Sequence, residues 1–278
     1  MDGLHQALAL AALALITALI AGGIPIMRGV KDEKHQKKMT GIAAGVLLAS
    51  ALLVAIPEGF DTIASSDADM HSSLAVGGAI LAGFILMLVL ESLGFGHDIH
   101  EEHHDHEGEH GHDHVHHPSN PASVVFGLSI HALTDGLAMG AAIATGELAI
   151  AIAVTVGVIA HKVPAAFSLG VFSMHERGDA SKSWKDLIMF SLATPLMIIL
   201  AYYAFGDVSE YGIGLAMLFA GGTFLYVATV DVLPDVHHLE TGKKALVYVL
   251  IGVTLLVFLL LLMDMSSMTA HDHSAHAH

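Results

Sequence analysis

Eight apolar runs follow one another along this 278-residue chain, separated by polar segments. A helix rises about 1.5 Å per residue, so about 20 apolar residues cross the hydrocarbon core of a bilayer. The runs predict spans at residues 5–27, 40–57, 73–95, 122–145, 148–174, 184–206, 212–233 and 244–264. We therefore predict an all-α polytopic membrane protein, with residues 1–278 forming one transmembrane domain.

The composition supports this prediction. Hydrophobic residues make up 54% of the chain and charged residues only 14%, with a mean hydropathy of +0.66, which is too apolar for a soluble domain of this length. The first run has no basic residue before it and no small-residue cleavage site, so a span is predicted there instead of a cleaved signal peptide. Cysteine is absent, so any metal site must use histidine and carboxylate ligands.

The basic residues predict the orientation of the spans. The chain has 11 lysines and arginines, and with eight spans all of them except Lys162 fall on one side of the membrane. These are Arg28, Lys31, Lys34, Lys37, Lys38, Arg177, Lys182, Lys185, Lys243 and Lys244. The positive-inside rule makes that side cytoplasmic. We therefore expect an integral protein of a plasma or inner membrane, with both termini outside and loops 96–121 and 175–183 in the cytoplasm.

Two segments of the chain resemble each other in opposite orientations. Residues 44–58 (AGVLLASALLVAIPE) align without gaps on residues 221–235 (GGTFLYVATVDVLPD), with Glu58 opposite Asp235. The first segment runs outward and the second inward in the predicted topology. This polarity indicates an inverted repeat, an arrangement that transporters use to expose one site alternately to either side. Spans one to three would mirror spans six to eight, with spans four and five as a central pair.

Candidate metal ligands lie in the two central spans. In span four, His131 and Asp135 are four residues apart and so project from one helical face. Span five contributes His161, followed by Pro164, which should free the carbonyl of Ala160 and bend the helix. Two imidazoles and one carboxylate suit a borderline divalent ion, Zn²⁺ first, with Fe²⁺, Mn²⁺, Co²⁺ and Cd²⁺ as further candidates. The metal is expected as a transported substrate, and no cofactor is expected.

Lys162, beside His161, carries a large free-energy cost of insertion into the membrane. Between Leu148 and Met174 the only ionisable side chains are His161 and Lys162, and roughly 20 Å of helix separate Lys162 from either end of the run. A cation at that depth costs about 2.5–3.5 kcal/mol on insertion scales. Lys162 is therefore expected to have a function or a buried counter-ion.

The motifs HALTDG (131–136) and HKVPAAF (161–167) resemble those of the ZIP family of divalent-metal transporters. HKVPAAF, VAIPEG (54–59) and FLYVATVDVLPDV (224–236) are most similar to the ZIP9-like branch. The resemblance covers essentially the whole chain. It implies an eight-helix bundle, a metal path between spans two, four, five and seven, a homodimer, and movement of Zn²⁺ into the cytoplasm. It assigns the primary metal site to His131, Asp135 and His161.

The chain also departs from the family pattern. Ala132 replaces the usual asparagine, Lys162 replaces an acid, Ala165 occupies a further ligand position, and the span-six stretch 187–205 contains no acid. A second, bridged metal site is therefore not expected. Lys162 occupies the place where a second cation would otherwise lie, and we predict that it modulates the site.

Three polar regions lie outside the spans. Segment 96–121 is predicted to be a disordered cytoplasmic loop that captures metal, and its histidines are His97, His100, His103, His104, His106, His110, His112, His114, His116 and His117. An outer vestibule is predicted from Glu58, Asp61, Asp67, Asp69 and His71, and an inner exit from Asp231, Asp235, His237 and His238. The histidine-rich tail 265–278 is predicted to be extracellular. The expected partners are divalent metal ions, the bilayer and a second copy of the chain, and no nucleic acid.

Two other functions fit parts of the pattern. A cation-diffusion exporter also uses a HxxxD pair in a span, but it normally needs a second such pair and a soluble C-terminal domain, and only 14 residues follow Asp264. A membrane zinc hydrolase could activate water on the same three ligands, but HKVPA lacks the glutamate of HExxH. The sequence favours neither.

Overall fold

The computed structural model describes residues 3–30, 33–66, 72–95, 121–230 and 242–275, and the regular structure within them is helical. The elements are α1 (Gly3–Arg28), α2 (Glu33–Ser50), a π-helical segment (Ala51–Ala55), α3 (Ile56–Ala64), α4 (Ser73–Ser92), α5 (Pro121–Ala144), α6 (Leu148–Arg177), α7 (Ala180–Ala204), α8 (Glu210–Val230) and α9 (Gly242–Ala275).

Eight of the described helices are long and apolar enough to cross a membrane, which confirms the predicted number of spans. Their order also matches, with α5 as span four, α6 as span five, α7 as span six, α8 as span seven and α9 as span eight. The last helix continues to Ala275, beyond the predicted end of span eight at residue 264.

Span two is composite and longer than predicted. It runs from Lys38 to Ala64 through α2, the π-helical segment and α3 without a break. Pro57 lies in the first turn of α3, directly after the π-helical segment. A proline lacks an amide hydrogen and its ring crowds the carbonyl four residues earlier, so the wider π turn lets the helix continue past it. As a result, Glu58 and Asp61 lie on the helix and not in the loop that follows it.

A short turn fixes α6 against α7. Gly178 ends α6 with φ of +59°, a conformation that a glycine adopts without strain, and Asp179 caps α7 by accepting hydrogen bonds from the backbone N–H groups of Ser181 and Lys182. Arg177 then donates two hydrogen bonds to Asp186, at 2.9 and 3.1 Å, almost two turns into α7. The two helices therefore run antiparallel with a fixed register.

The helices form a central group and a periphery. The most apolar stretch of α5 is 78% buried inside the protein, whereas the corresponding stretches of α4 and α9 are only 17% buried. α5 packs against α7, α8 and α6, and α1 packs against α6 and α7. On the outside, α4 packs on α8 and α9 packs on α2. A residue on α5 is therefore surrounded by protein, while α4 and α9 present mostly exposed apolar side chains.

Glycines allow backbone contact at both peripheral pairs. A Cβ atom on Gly45 of α2 would collide with the carbonyl of Val249 on α9, and one on Gly252 of α9 with that of Ile42. In the second pair, a Cβ on Gly222 of α8 would collide with the carbonyl of Ile80 on α4, and one on Gly83 of α4 with that of Phe219. Each pair thus contributes one glycine from each helix, as is common where membrane helices approach closely.

Candidate metal centre

His131, Asp135 and His161 come together between α5 and α6 in the interior of the bundle. One oxygen of Asp135, Oδ1, lies 3.6 Å from His131 Nε2 and 3.2 Å from His161 Nε2. Each of the three residues offers one ligand atom, and these three atoms lie within 4.8 Å of one another. All three side chains are buried. No other group of three or more such residues with this spacing occurs in the described part of the chain.

The ring of His161 is oriented by its own helix. Its Nδ1 lies 2.9 Å from the backbone carbonyl oxygen of Gly157, one turn earlier on α6. A carbonyl oxygen can only accept, so Nδ1 carries the hydrogen, and in the neutral ring the lone pair is on Nε2. That lone pair faces Oδ1 of Asp135. Two electron-pair donors that face each other this closely favour a positive charge between them, which either a proton or a divalent ion supplies.

Phe224 of α8 closes the site on the side of span seven. Its ring packs edge-on against both imidazoles, with centroid distances of 5.9 Å to His131 and 5.6 Å to His161. The hydroxyl of Thr223 lies 3.0 Å from that of Thr134 on α5, and Thr134 in turn donates to the carbonyl of His131. These contacts hold α8 against the turn of α5 that carries His131.

Lys162 is completely buried, with a relative exposure of 0%. Its Nζ donates a hydrogen bond to the hydroxyl of Thr194 on α7 at 2.7 Å. It also lies 3.5 Å from Oδ2 of Asp135 and 4.4 Å from the ring centroid of Phe190 on α7. The ammonium and the Asp135 carboxylate together form a neutral buried pair, which offsets much of the cost of burying each charge.

The chain is similar over most of its length to curated zinc transporters. A sequence model of the ZIP zinc transporter family matches residues 96–260. The zinc transporter ZIP9-B of Xenopus laevis is 32% identical over 265 residues, which cover 83% of this chain and 84% of that protein. The zinc transporter ZIP9 of Macaca fascicularis is 42% identical over 124 residues, covering 42% of this chain and 53% of that protein. The human zinc transporter ZIP10 is 33% identical over 124 residues, covering 41% of this chain and 14% of that protein.

This chain belongs to the ZIP zinc transporter family. The resemblance drawn from HALTDG and HKVPAAF is thereby confirmed, including its relation to ZIP9 proteins. Membership also favours a transporter over a membrane zinc hydrolase, because ZIP proteins are transporters and not enzymes. It places the buried His131, Asp135 and His161 cluster in a protein of a zinc-transporting family.

Of the five residues predicted to form an outer vestibule, the structure describes Glu58 and Asp61. Glu58 and Asp61 line a cavity of about 860 Å³ together with Glu147 and Glu210, which the sequence-based prediction did not include. The cavity lies at the end of α3, the turn between α5 and α6, and the start of α8. The remaining predicted vestibule residues, Asp67, Asp69 and His71, lie outside the described residues.

Two other predicted regions cannot be compared with the structure. The histidine-rich segment 96–121 lies outside the described residues except for Pro121, where α5 begins. The same holds for the predicted inner exit, which comprises Asp231, Asp235, His237 and His238.

The sequence-based prediction missed the aromatic and hydroxyl side chains around the site. Phe224, Thr194 and Phe190 lie on α7 and α8, far along the chain from the histidines, and none of them is a metal ligand. Span six contains no acid, so Thr194 is one of its few polar side chains that can accept a hydrogen bond from Lys162. Nothing else in the sequence indicates this contact.

Proposed function

We propose that this protein carries Zn²⁺, and related divalent ions such as Fe²⁺, Mn²⁺, Co²⁺ and Cd²⁺, across a membrane into the cytoplasm. The ion would bind one intramembrane site made of His131, Asp135 and His161. The observation that carries the proposal is the convergence of His131 Nε2, His161 Nε2 and Asp135 Oδ1 in the buried centre of a ZIP protein. Three such ligands leave room for water or substrate oxygen, and an incomplete shell permits release.

Charge at the two ends of the helices supports inward movement. The described basic residues outside the site cluster at the end of α1, the start of α2, the end of α6 and the starts of α7 and α9, which lie together in a bundle of alternating spans. The acid-lined cavity opens at the opposite ends. Basic residues favour the cytoplasmic side, so the acidic cavity would face outward and attract cations. Its lining residue Ala153 is eight positions before His161 on α6, about 12 Å along the helix.

The glycine contacts support an inverted repeat. Gly45 and Gly222 are aligned in the two similar segments, and each meets a backbone carbonyl on the peripheral helix of the other half, Val249 of span eight in one case and Ile80 of span three in the other. The return contacts follow the same alignment: Gly252 meets Ile42, and Gly83 meets Phe219. Residues 42 and 219 have the same offset, 177 positions, as 45 and 222. Such a repeat would let two similar halves rock around the central α5 and α6.

Metal uptake by the purified chain in liposomes tests the proposal. His131→Ala, Asp135→Ala and His161→Ala should each abolish saturable Zn²⁺ uptake, because each removes one of only three ligands. His175→Ala is the matched control, since it removes an exposed histidine from the same helix as His161. The control should transport like the wild type. Uptake at the wild-type rate in any two of the three site variants would contradict the site.

The peripheral regions would serve the same function. We propose that loop 96–121 captures metal on the cytoplasmic side, because ten histidines among many acids suit weak binding. The tail 265–278 would collect ions outside. A homodimer in a plasma or inner membrane is the expected assembly, and the exposed apolar faces of α4 and α9 are compatible with lipid or a second copy.

A further inference from the structure

We propose that Thr194 and Phe190 of α7 hold the Lys162 ammonium as a fixed cation beside Asp135, so that the site takes a single metal ion. The two α7 residues are positioning residues, because they touch Lys162 and neither is a metal ligand. The inference rests on the proposed function of His131, Asp135 and His161 as the metal site. It goes beyond that function by identifying the residues that control how Lys162 and the metal share the Asp135 carboxylate.

The Thr194 hydroxyl has a single orientation. It donates its only hydrogen to the backbone carbonyl of Ala132 on α5, at 2.7 Å. Its lone pairs are therefore available to Lys162 Nζ, which donates to it at the same distance of 2.7 Å. The resulting chain runs from the Lys162 ammonium on α6 through Thr194 on α7 to Ala132 on α5. A hydroxyl held in this way is a good acceptor for a buried cation.

Gly136 places Thr194 within reach. A Cβ on Gly136 would collide with the backbone carbonyl of Thr194, so α5 and α7 are in direct backbone contact at this level. Gly136 is the glycine of the HALTDG motif, one residue after Asp135. The same close contact therefore positions the metal-binding carboxylate and the hydroxyl that receives the lysine.

The ammonium is held more closely by α7 than by Asp135. Its hydrogen bond to Thr194 is 2.7 Å long, whereas its distance to Asp135 Oδ2 is 3.5 Å, beyond ordinary hydrogen-bond range. The face of Phe190 at 4.4 Å adds an attraction for a cation. When Asp135 turns toward a metal, Lys162 thus keeps two of its three partners and need not follow the carboxylate.

Two consequences follow for the metal. The ammonium and its partners fill the space at Oδ2 of Asp135, so a second divalent ion has neither room nor an unshared ligand there. A fixed positive charge near the carboxylate also weakens its attraction for the first ion, which favours release. The expected stoichiometry of the intramembrane site is one Zn²⁺ per chain, with an affinity limited by Lys162, and weak binding by loop 96–121 would come in addition.

A double-mutant cycle on the purified full-length chain tests the proposal. Titration calorimetry and elemental analysis measure Zn²⁺ binding, and binding at the site is the difference between each variant and the same chain carrying His161→Ala, which subtracts any binding by loop 96–121. Thr194→Val keeps the side-chain shape but removes the acceptor, so the ammonium should move onto Asp135 and compete with the metal. We expect Zn²⁺ affinity to fall about tenfold, the size of a lost hydrogen bond to a charged group. Thr194→Ser restores the hydroxyl and should restore affinity.

The Lys162→Met background distinguishes positioning from packing. Thr194→Val should change Zn²⁺ affinity in the wild-type chain and leave it unchanged in Lys162→Met, because no ammonium remains to be released. An equal loss in both backgrounds would show that Thr194 acts through its bond to Ala132 and would overturn the proposal, as would unchanged affinity in Thr194→Val alone. His161→Ala serves as the reference for the site itself. If the wild type binds no Zn²⁺, or binds it equally after His161→Ala, both the proposed function and this inference fail.

Discussion

Asp135 offers its two carboxylate oxygens to different partners. Oδ1 faces the two imidazoles and Oδ2 faces Lys162, so one side chain separates the candidate metal position from the ammonium. Aligning the two helices on their histidines shows that the remaining residues of the site differ. His131 corresponds to His161, but Asp135 corresponds to Ala165 and Lys162 to Ala132. Each helix therefore supplies one histidine, and the acid and the base come from opposite helices.

Lys162→Glu should convert the site from one metal to two. The substitution replaces a cation with a carboxylate beside Asp135, so the metal-free site would hold two buried negative charges and lose stability. We expect a lower melting temperature without metal, a larger rise in melting temperature on adding Zn²⁺ than in the wild type, and up to two ions bound at the site in each chain. Melting in detergent and elemental analysis measure these quantities.

Lys162→Met is the control for this change, because it removes the cation without adding a ligand. It should bind one ion. A Lys162→Glu protein that binds one ion with the wild-type thermal shift would show that Lys162 does not occupy a second cation position.

The three candidate metal ligands could be selected from the sequence, but their surroundings could not. His131 and Asp135 follow helical spacing, and His161 and Lys162 stand out because the rest of span five is not ionisable. Thr194, Phe190 and Phe224 are ordinary residues in apolar spans, and only the crossing of α7 and α8 over α5 and α6 makes them part of the site. Helix packing, which is not encoded locally, decides those contacts.

At the scale of the helix, glycines set how closely neighbouring spans approach, and one π-helical turn lets span two continue past Pro57. The eight spans could be predicted because apolar length is a local property. The continuation of span two through Pro57 could not, since a proline after an apolar run more often ends a helix, and the π-helical segment at Ala51–Ala55 changes that outcome. The same limit applies to glycines, whose role depends on the neighbouring helix.

Gly83→Ala should destabilise the protein, while Gly77→Ala on the same helix should not. A Cβ at Gly83 would meet the backbone of Phe219, whereas nothing lies within 4 Å of one at Gly77. Overpacking typically costs about 1–3 kcal/mol, and replacing an unhindered helical glycine by alanine gains up to about 1 kcal/mol. The melting temperature in detergent should therefore fall for Gly83→Ala and stay equal or rise for Gly77→Ala. Gly252→Ala should resemble Gly83→Ala if the two halves are equivalent. Equal melting temperatures of Gly83→Ala and Gly77→Ala would contradict a close contact between Gly83 and the backbone of Phe219.

At the scale of the whole molecule, orientation decides whether the acidic cavity is a mouth or an exit. The described helices alternate in direction, so the ends that carry basic residues and the ends around Glu58, Glu147 and Glu210 lie on opposite faces. The positive-inside rule assigns the first face to the cytoplasm. If that assignment is correct, an ion attracted by the carboxylates starts outside and leaves toward the basic face.

Single cysteines in this cysteine-free chain can measure the orientation directly. Ser181, in the first turn of α7, and Ser209, in the connection between α7 and α8, are both exposed, and Ser→Cys is nearly isosteric at both. A membrane-impermeant maleimide should label Ser209→Cys in intact cells, and Ser181→Cys only after permeabilisation, because Ser181 lies beside Lys182 on the predicted cytoplasmic face. A cysteine at position 110 should behave like Ser181→Cys. The cysteine-free parent controls for background labelling. Labelling of position 181 or 110 in intact cells, with protection of position 209, would reverse the topology and make the acidic cavity an exit.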